Sequence, residues 1–381
     1  MKKIRIGIDA SGILLGGGIT HLKEIINNFD PKLFNIEKIV IWGAKKTLED
    51  IQERECLKLI IQNDSESTYF RRVLWQIKSK RFLKQQKCDI LFVPGAFYFG
   101  TFSPFITMSH NLLPFEEYER KYYFPSYNYY RLVILKWIQI ITFVRAKGVI
   151  FLTNYAKNKI LNSYKVKCST VTISHGISNP FKDLHDLQEN CDKNGTNKVS
   201  IVYISSLDHY KHQIEVVKAI EKVIEKGYSV ELLLIGPIVN NKYYHELKKI
   251  IESNLLFRNN VKYLGVKKHY ELAAIIKKCN IFLFASSCEN QSIILLEGMG
   301  SGVPICCSNR NPMPEILKNG GIYFNPEDVI DIADAVIRLI NSNDLRVEIT
   351  KKALDITSEF TWEKCSRETF EYISSLAENN G

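Results

Sequence analysis

Two carboxylates raise the question of chemistry. In SSCENQSIILLEGMGSGVPIC, Ser286 to Cys306, Glu289 and Glu297 have seven residues between them around an almost wholly apolar run. Glu289 follows the strand-like IFLFA. Glu297 falls inside a short helix expected over about Gln291 to Ser301, where Ile293, Ile294, Leu295, Leu296 and Met299 are apolar on every side. A charged carboxylate in such a helix costs several kcal/mol unless it is paired or hydrogen-bonded, so it needs donors from the protein or from a hydroxyl-rich ligand such as a sugar or ribose. The helix start at Asn290, Gln291 and Ser292 offers backbone N–H groups that stabilise phosphate or developing oxyanion charge. Gly298, Gly300 and Gly302 each weaken a helix by about 1 kcal/mol relative to alanine, which makes sense where another backbone or a ligand comes close; Gly302 also suits a helix end. The plainer alternative is a solvated Glu289 and a Glu297 paired with a buried Arg or Lys.

Other groups could join them. Gly16, Gly17 and Gly18 precede a helix, where backbone amides could approach a phosphate or an acceptor; a hinge loop is the alternative. The run is not a dinucleotide fingerprint. His110, in ITMSHNLLPF, follows a strand at its expected carboxyl end. His175, in TISHGI, reads as structural, and His21 as either a cleft residue or an exposed one. No Asp-x-Asp strand end or histidine cluster with ligand spacing is legible, so no metal is expected.

The elements that must position these groups alternate between strand and helix. Strands are expected at Ile4–Asp9, Ile36–Trp42, Ile90–Val93, Phe105–Met108, Val149–Thr153 and Thr170–Ser174, with a helix from about Ile19 to Phe29. A polar stretch, NPFKDLHDLQENCDKNGTNK, then reads as a linker. A second series follows at Val199–Ile204, Val230–Ile235, Val261–Leu264, Ile281–Ala285, Val303–Cys307 and Ile322–Phe324. This pattern predicts α/β structure with parallel sheets covered on both faces. The expected organisation is a Rossmann-like domain over residues 1–180, a linker over 181–198, a second Rossmann-like domain over 199–360, and a closing helix within 361–381 that returns to the first domain. Ligands of such sheets bind beyond the carboxyl ends of the strands, which points to a cleft between the domains.

Composition narrows the class. A chain of 381 residues that is 45% hydrophobic exceeds one ordinary core and suits two domains. Nine scattered cysteines without a Cys-x-x-Cys pair read as reduced thiols. The opening MKKIRIGIDASG lacks the apolar core of a signal peptide, so a cytoplasmic protein is expected. Leu132 to Leu152 is interrupted by Lys136, Gln139, Arg145 and Lys147, too often for a spanning helix. A net charge of +10 suggests an anionic partner. Nucleic acid is poorly served, since no base-reading motif occurs. The basic amphipathic stretch Tyr69–Lys87, with Phe70, Val73, Leu74, Ile77 and Phe82 near one face, and the aromatic-rich Tyr118–Trp137 fit an anionic membrane surface; ordinary helix packing is the alternative.

The span SSCENQSIILLEGMGSGVPIC, followed by GSGVPICCS, PEIL at Pro314–Leu317 and NGGIYFNPED at Asn319–Asp328, resembles the Glu-x7-Glu signature of retaining GT-B glycosyltransferases, the family 4 type. YISSLDHYKHQ, LLLIGP and VKYLG fall in that family's order upstream. The resemblance covers Val199–Trp362 and continues in architecture over residues 1–180. It implies two facing Rossmann-like domains and transfer of a sugar from a nucleoside-diphosphate sugar to an acceptor hydroxyl, without a metal cofactor. It also implies residue roles: Glu289 near the reacting face of the donor sugar, Glu297 on the ribose, Lys211 on the donor phosphates and His110 on substrate. With the amides at Asn290, Gln291 and Ser292, Ser206 and Gly236 are expected to complete the donor side; Gly16, Gly17 and Gly18, read from the residues alone, are candidates for an acceptor or phosphate loop.

Two departures stand out. Ser205 and Ser206 occupy the place of the family's phosphate-binding Arg, so either another cation serves, from His209, His212 or the first domain, or phosphate stabilisation is weaker. IGPIV also lacks a second glycine found in many relatives. The family's habits imply a glycan or lipid-linked glycan acceptor at the inner face of a membrane. A noncatalytic sugar-nucleotide-binding partner and a nucleotide-sugar epimerase of the same fold are the competing readings.

Overall fold

The computed structural model describes residues 3–14, 16–62, 69–178, 181 and 198–378. The expected linker therefore lies, apart from Phe181 and Lys198, outside the described residues. The chain divides into two compact units, Met1–Gly176 with Thr361–Gly381, and Ile177–Phe360.

The first unit is built on a parallel sheet of β1 (Ile4–Asp9), β2 (Ile36–Gly43), β3 (Leu57–Ile61), β4 (Ile90–Val93), β5 (Phe105–Met108), β6 (Gly148–Phe151) and β7 (Ser169–Thr172), in the order β3-β2-β1-β4-β5-β6-β7. The strands β4, β5 and β6 are buried along their whole length, as expected where helices cover both faces of a parallel sheet. The helices Tyr69–Gln85 and Tyr127–Arg145 connect β3 to β4 and β5 to β6. Both connections step the same way across the sheet, so right-handed crossovers put them on one face. The helix Gly17–Asn27 steps the opposite way and packs with the closing helix Trp362–Glu378: Ser366 donates to the Ile25 carbonyl at 2.6 Å, and the Phe29 and Phe370 rings lie 4.4 Å apart.

The second unit repeats the plan with β8 (Val199–Ile204), β9 (Val230–Ile235), β10 (Val261–Tyr263), β11 (Ile281–Phe284), β12 (Ile305–Ser308) and β13 (Ile322–Phe324), in the order β10-β9-β8-β11-β12-β13. Its core joins β-branched and aromatic strand residues to the helices Gln213–Glu225 and Val329–Asn341. Strand order reverses at β1/β4 in the first unit and at β8/β11 in the second. Those are the points where loops at the carboxyl ends part and leave room for a ligand.

The sequence reading missed β3, and the strand expected at Val303–Cys307 instead runs from Ile305 to Ser308. The expected single apolar face of the helix Tyr69–Gln85 is also split. Leu83 is buried and Phe82 packs on Trp42 and Trp75, while Phe70, Leu74 and Ile77 are exposed. No helix among the described residues is long and apolar enough to cross a membrane.

Candidate active site

In the second unit the loops after β8, β9 and β11 are tied together at the sheet's carboxyl end. Leu207 N–H donates to the Pro237 carbonyl at 2.9 Å and Asn240 N–H to the Leu207 carbonyl at 3.2 Å, which join the first two loops. Gly236 sits at φ +146°, and a Cβ there would lie 2.0 Å from the Ser205 carbonyl oxygen, so the turn accepts glycine alone. This contact brings Gly236 against the Ser205–Ser206 segment. Asp208 caps the turn His209–Lys211 by accepting from His209 N–H at 2.9 Å, and the chain then passes through a left-handed His212 into the next helix.

That turn places Lys211 beside Glu289, from the loop after β11. The Lys211 ammonium donates to Glu289 Oε1 in an ion pair that is almost wholly shielded from water. It also lies 4.9 Å from the Tyr210 ring centroid. Burial lowers the lysine's proton affinity, but the Glu289 charge and hydrogen bond outweigh it and hold the pKa above the usual value. Lys211 is therefore a cation at neutral pH. Tyr203, deep in the core, donates to the Lys211 carbonyl at 2.6 Å and fixes the backbone beneath it.

Glu297 is fully buried in the helix Ile293–Gly300, and its Oε1 lies 2.5 Å from His269 Nε2. The structure thus supplies one of the donors that the sequence demanded, from the first residue of the helix His269–Lys278. Reasoning from sequence missed His269, which stands 28 residues upstream and carries no local signal. Asn290 and Gln291 are buried, and Ser292 caps the helix by accepting from Leu295 N–H at 3.4 Å.

The glycines of this helix serve packing. A Cβ on Gly298 would meet the Phe282 ring at 2.6 Å, and one on Gly300 would meet the Phe181 carbonyl at 2.8 Å; Gly302, at φ +69°, follows the helix end. Close approach by a neighbouring ring and backbone, not by a ligand, accounts for the first two.

The two histidines suggested as replacements for the missing Arg have protein partners. His212 is buried, with Nε2 2.8 Å from Ser287 Oγ and Nδ1 3.6 Å from Glu215, so it braces the β8 and β11 loops. The His209 ring packs edge-on to Tyr243 at 4.9 Å. Ser205 Oγ and the Ser206 carbonyl both accept from the Gln213 amide at 2.8 Å.

In the first unit, Gly16 adopts φ +67° and ends the loop after β1, and Gly17 and Gly18 begin the helix that carries His21. His21 is completely buried, contrary to the expectation that it faces a cleft or solvent. It meets His110, from the loop after β5, with ring centroids 5.0 Å apart. Its Nδ1 also lies 3.1 Å from His175 Nδ1, so one imidazole donates to the other. Trp362 closes the group, 5.5 Å from the His175 ring. Burial lowers the pKa of His110 to about 4 and those of His21 and His175 well below the usual value, so all three are neutral at physiological pH. The Cys365 thiol joins His21 and His175 in a buried trio whose ligand atoms lie within 4.8 Å of one another. The spacing of these residues along the chain hid that cluster.

Residues 187–355, which fall in the second unit, match the family model "Glycosyl transferases group 1". The capsular polysaccharide biosynthesis glycosyltransferase CapM of Staphylococcus aureus is 24% identical over 287 residues, 71% of this chain and 73% of that protein. Three other curated relatives align over shorter stretches, 29% to 42% of their own length. A sucrose-phosphate synthase from Thermosynechococcus elongatus superimposes with a TM-score of 0.76 at 15% identity, covering 98% of this chain and 99% of that one. Anabaena Alr3699/HepE, solved in complex with UDP and glucose, gives 0.70 at 17% identity, covering 98% and 100%. The chain has the GT-B fold of two Rossmann-like domains, and its second domain is similar to the group 1 glycosyl transferases.

Proposed function

We propose that this protein is a retaining, metal-independent glycosyltransferase, moving a sugar from a nucleoside-diphosphate sugar to an acceptor hydroxyl in surface polysaccharide or lipid-linked glycan assembly. The observation that carries the reading is the shielded Lys211–Glu289 pair at the β8/β11 switch point, with Glu297 buried in the next helix. The match to group 1 glycosyl transferases over residues 187–355 and the likeness to CapM support it.

In this reading the donor phosphates lie against Lys211 and the amides at Asn290–Ser292. Glu289 contacts the sugar and Glu297 the ribose. The bond from the anomeric carbon to the phosphate oxygen breaks, and the acceptor oxygen bonds to that carbon from the same face. The departing diphosphate takes the electron pair, and its oxygen accepts the acceptor's proton. Lys211 balances the charge that develops there, an effect that is strongest in a water-poor site. Ser206 and Gly236 border the donor. His110 contacts substrate as a neutral imidazole, and Gly16–Gly18 present backbone amides to acceptor or phosphate. We assign a glycan or lipid-linked glycan acceptor, with the protein working at a cytoplasmic membrane surface and without nucleic acid.

The test is transfer, in EDTA, from UDP-, GDP- and ADP-sugars to lipid-linked acceptors, with the product's anomeric configuration read by NMR. Retention of configuration in EDTA is the expected result. Inversion, or activity restored only by a divalent metal, contradicts the reading.

A further inference from the structure

The helix Tyr127–Arg145 leaves a row of large apolar residues in water. Tyr127, Tyr130, Ile134, Trp137, Ile141 and Val144 are all more than half exposed, and they recur at alternating steps of three and four. That period forms one continuous stripe along an α-helix. Tyr118, Tyr122 and Phe124, just before the helix, are exposed as well. On the same face of the sheet, the helix Tyr69–Gln85 exposes Phe70, Leu74 and Ile77, again one edge. Both helices are anchored to one loop. Gln76 bonds the Phe97 carbonyl and the Phe99 N–H, and Arg145 bonds the Tyr98 and Gly100 carbonyls. Exposed apolar surface of this extent marks an interaction site.

Charge identifies the partner. The helix Tyr69–Gln85 carries Arg71, Arg72, Lys78, Lys80, Arg81 and Lys84, and neither helix contains an aspartate or glutamate; in the helix Tyr127–Arg145, Arg131 is exposed, whereas Lys136 is paired with Glu117 and Arg145 holds the loop carbonyls. Lys78, Lys80, Arg81 and Lys84 line an open depression beside Ile77. A cationic helix beside a helix with an aromatic and aliphatic edge fits an anionic lipid surface, where the cations of the first meet headgroup phosphates and the apolar edges of both enter the acyl boundary. A second copy of this chain would set cation against cation.

We propose that the outer faces of helices Tyr69–Gln85 and Tyr127–Arg145 dock together onto an anionic membrane surface, with Trp137 inserted. The inference rests on the membrane partner of the reading above and is independent of its donor site.

The experiment uses the full chain with phosphatidylcholine vesicles that contain or lack phosphatidylglycerol. Co-sedimentation with anionic vesicles, weakened by salt and absent with pure phosphatidylcholine, is expected. Changing Lys78, Lys80, Arg81 and Lys84 together to Gln should weaken binding roughly a hundredfold or more, and Ile134→Ser with Trp137→Ser roughly tenfold or more. Brominated lipids should quench tryptophan fluorescence, and Trp137→Phe should remove that quenching while binding persists. Nucleoside diphosphate binding by every variant should match that of the parent, which separates failure of docking from failure of the donor site and serves as the check on folding. Absence of sedimentation at low salt overturns the proposal, as does sedimentation unaffected by either set of substitutions. A dimer dissolved by the stripe substitutions, without vesicle binding, assigns the face to a second copy and also overturns it.

Discussion

Each unit gathers polar residues at the carboxyl ends of its strands, but the two clusters differ in charge. In the second unit, Lys211 and Glu289 are held as a charged pair, with Glu297 beside His269. In the first, His21, His110 and His175 are kept neutral by burial. The second unit spends desolvation energy on keeping charges that it could have replaced with apolar side chains, and such a cost is understandable where a charged ligand must be met. The first unit keeps its imidazoles uncharged, with His21 and His175 bonded to one another.

The largest predicted effect removes the charge from one side of this comparison. Lys211→Ala should leave the shielded Glu289 uncompensated, costing about 3–5 kcal/mol of stability, and should lower turnover by roughly 10²–10³. Adding Glu289→Gln should recover much of the stability and none of the rate, as read by denaturant unfolding and transfer kinetics. If turnover returned with stability, Lys211 would be a structural residue only.

Glu297→Gln keeps the shape and removes the charge opposite His269. It should weaken nucleoside diphosphate binding by about 1–3 kcal/mol, measurable by calorimetry, whereas Glu289→Gln should chiefly lower turnover. Equal effects of the two on binding would erase the distinction drawn between them.

Gly300→Ala tests the packing account. Its Cβ would lie 2.8 Å from the Phe181 carbonyl, so a loss of about 1–3 kcal/mol is expected, with nucleotide affinity retained. A large loss of affinity at unchanged stability would return this glycine to the ligand.

The smallest effects come from pH, and they run in opposite directions. The histidines bind protons less readily in the native state than when unfolded. As pH falls from about 6.5 toward about 4, the unfolded chain takes up protons that the native first unit refuses, so stability falls. Lys211 is held above its usual value, so its contribution is complete below about pH 10.5 and is lost as pH rises through the folded value. Thermal unfolding across pH should show both limbs. His110→Asn should flatten the acid limb, and Lys211→Met should flatten the alkaline one.

Much of the fold was legible because largely buried parallel strands read as nearly continuous apolar runs. Ile4–Asp9, Ile90–Val93, Phe105–Met108, Val199–Ile204 and Val230–Ile235 have the bounds that the sequence suggested. The strand Leu57–Ile61 was missed because it lies at the sheet edge and carries Lys58 within its short span. The site was legible as residue types but not as partners. Lys211 and Glu289 are 78 residues apart, and His21 and His175 are 154 apart, so only the fold shows that they touch. The contact of His212 with Ser287 was hidden for the same reason, since Ser287 arrives from another strand end. Periodicity found the helix Tyr69–Gln85, but the side on which the sheet would lie, and hence which apolar residues stay in water, depended on tertiary packing.

The central claim is that Lys211, Glu289 and Glu297 bind a nucleoside-diphosphate donor. Its most direct test is calorimetric titration in EDTA with UDP, GDP, ADP and their sugar conjugates, using the parent protein and Lys211→Met. The account predicts that one nucleotide family binds the parent and that Lys211→Met lowers its affinity by roughly tenfold or more. Failure of every nucleotide to bind the parent, or equal binding by both proteins, would contradict it.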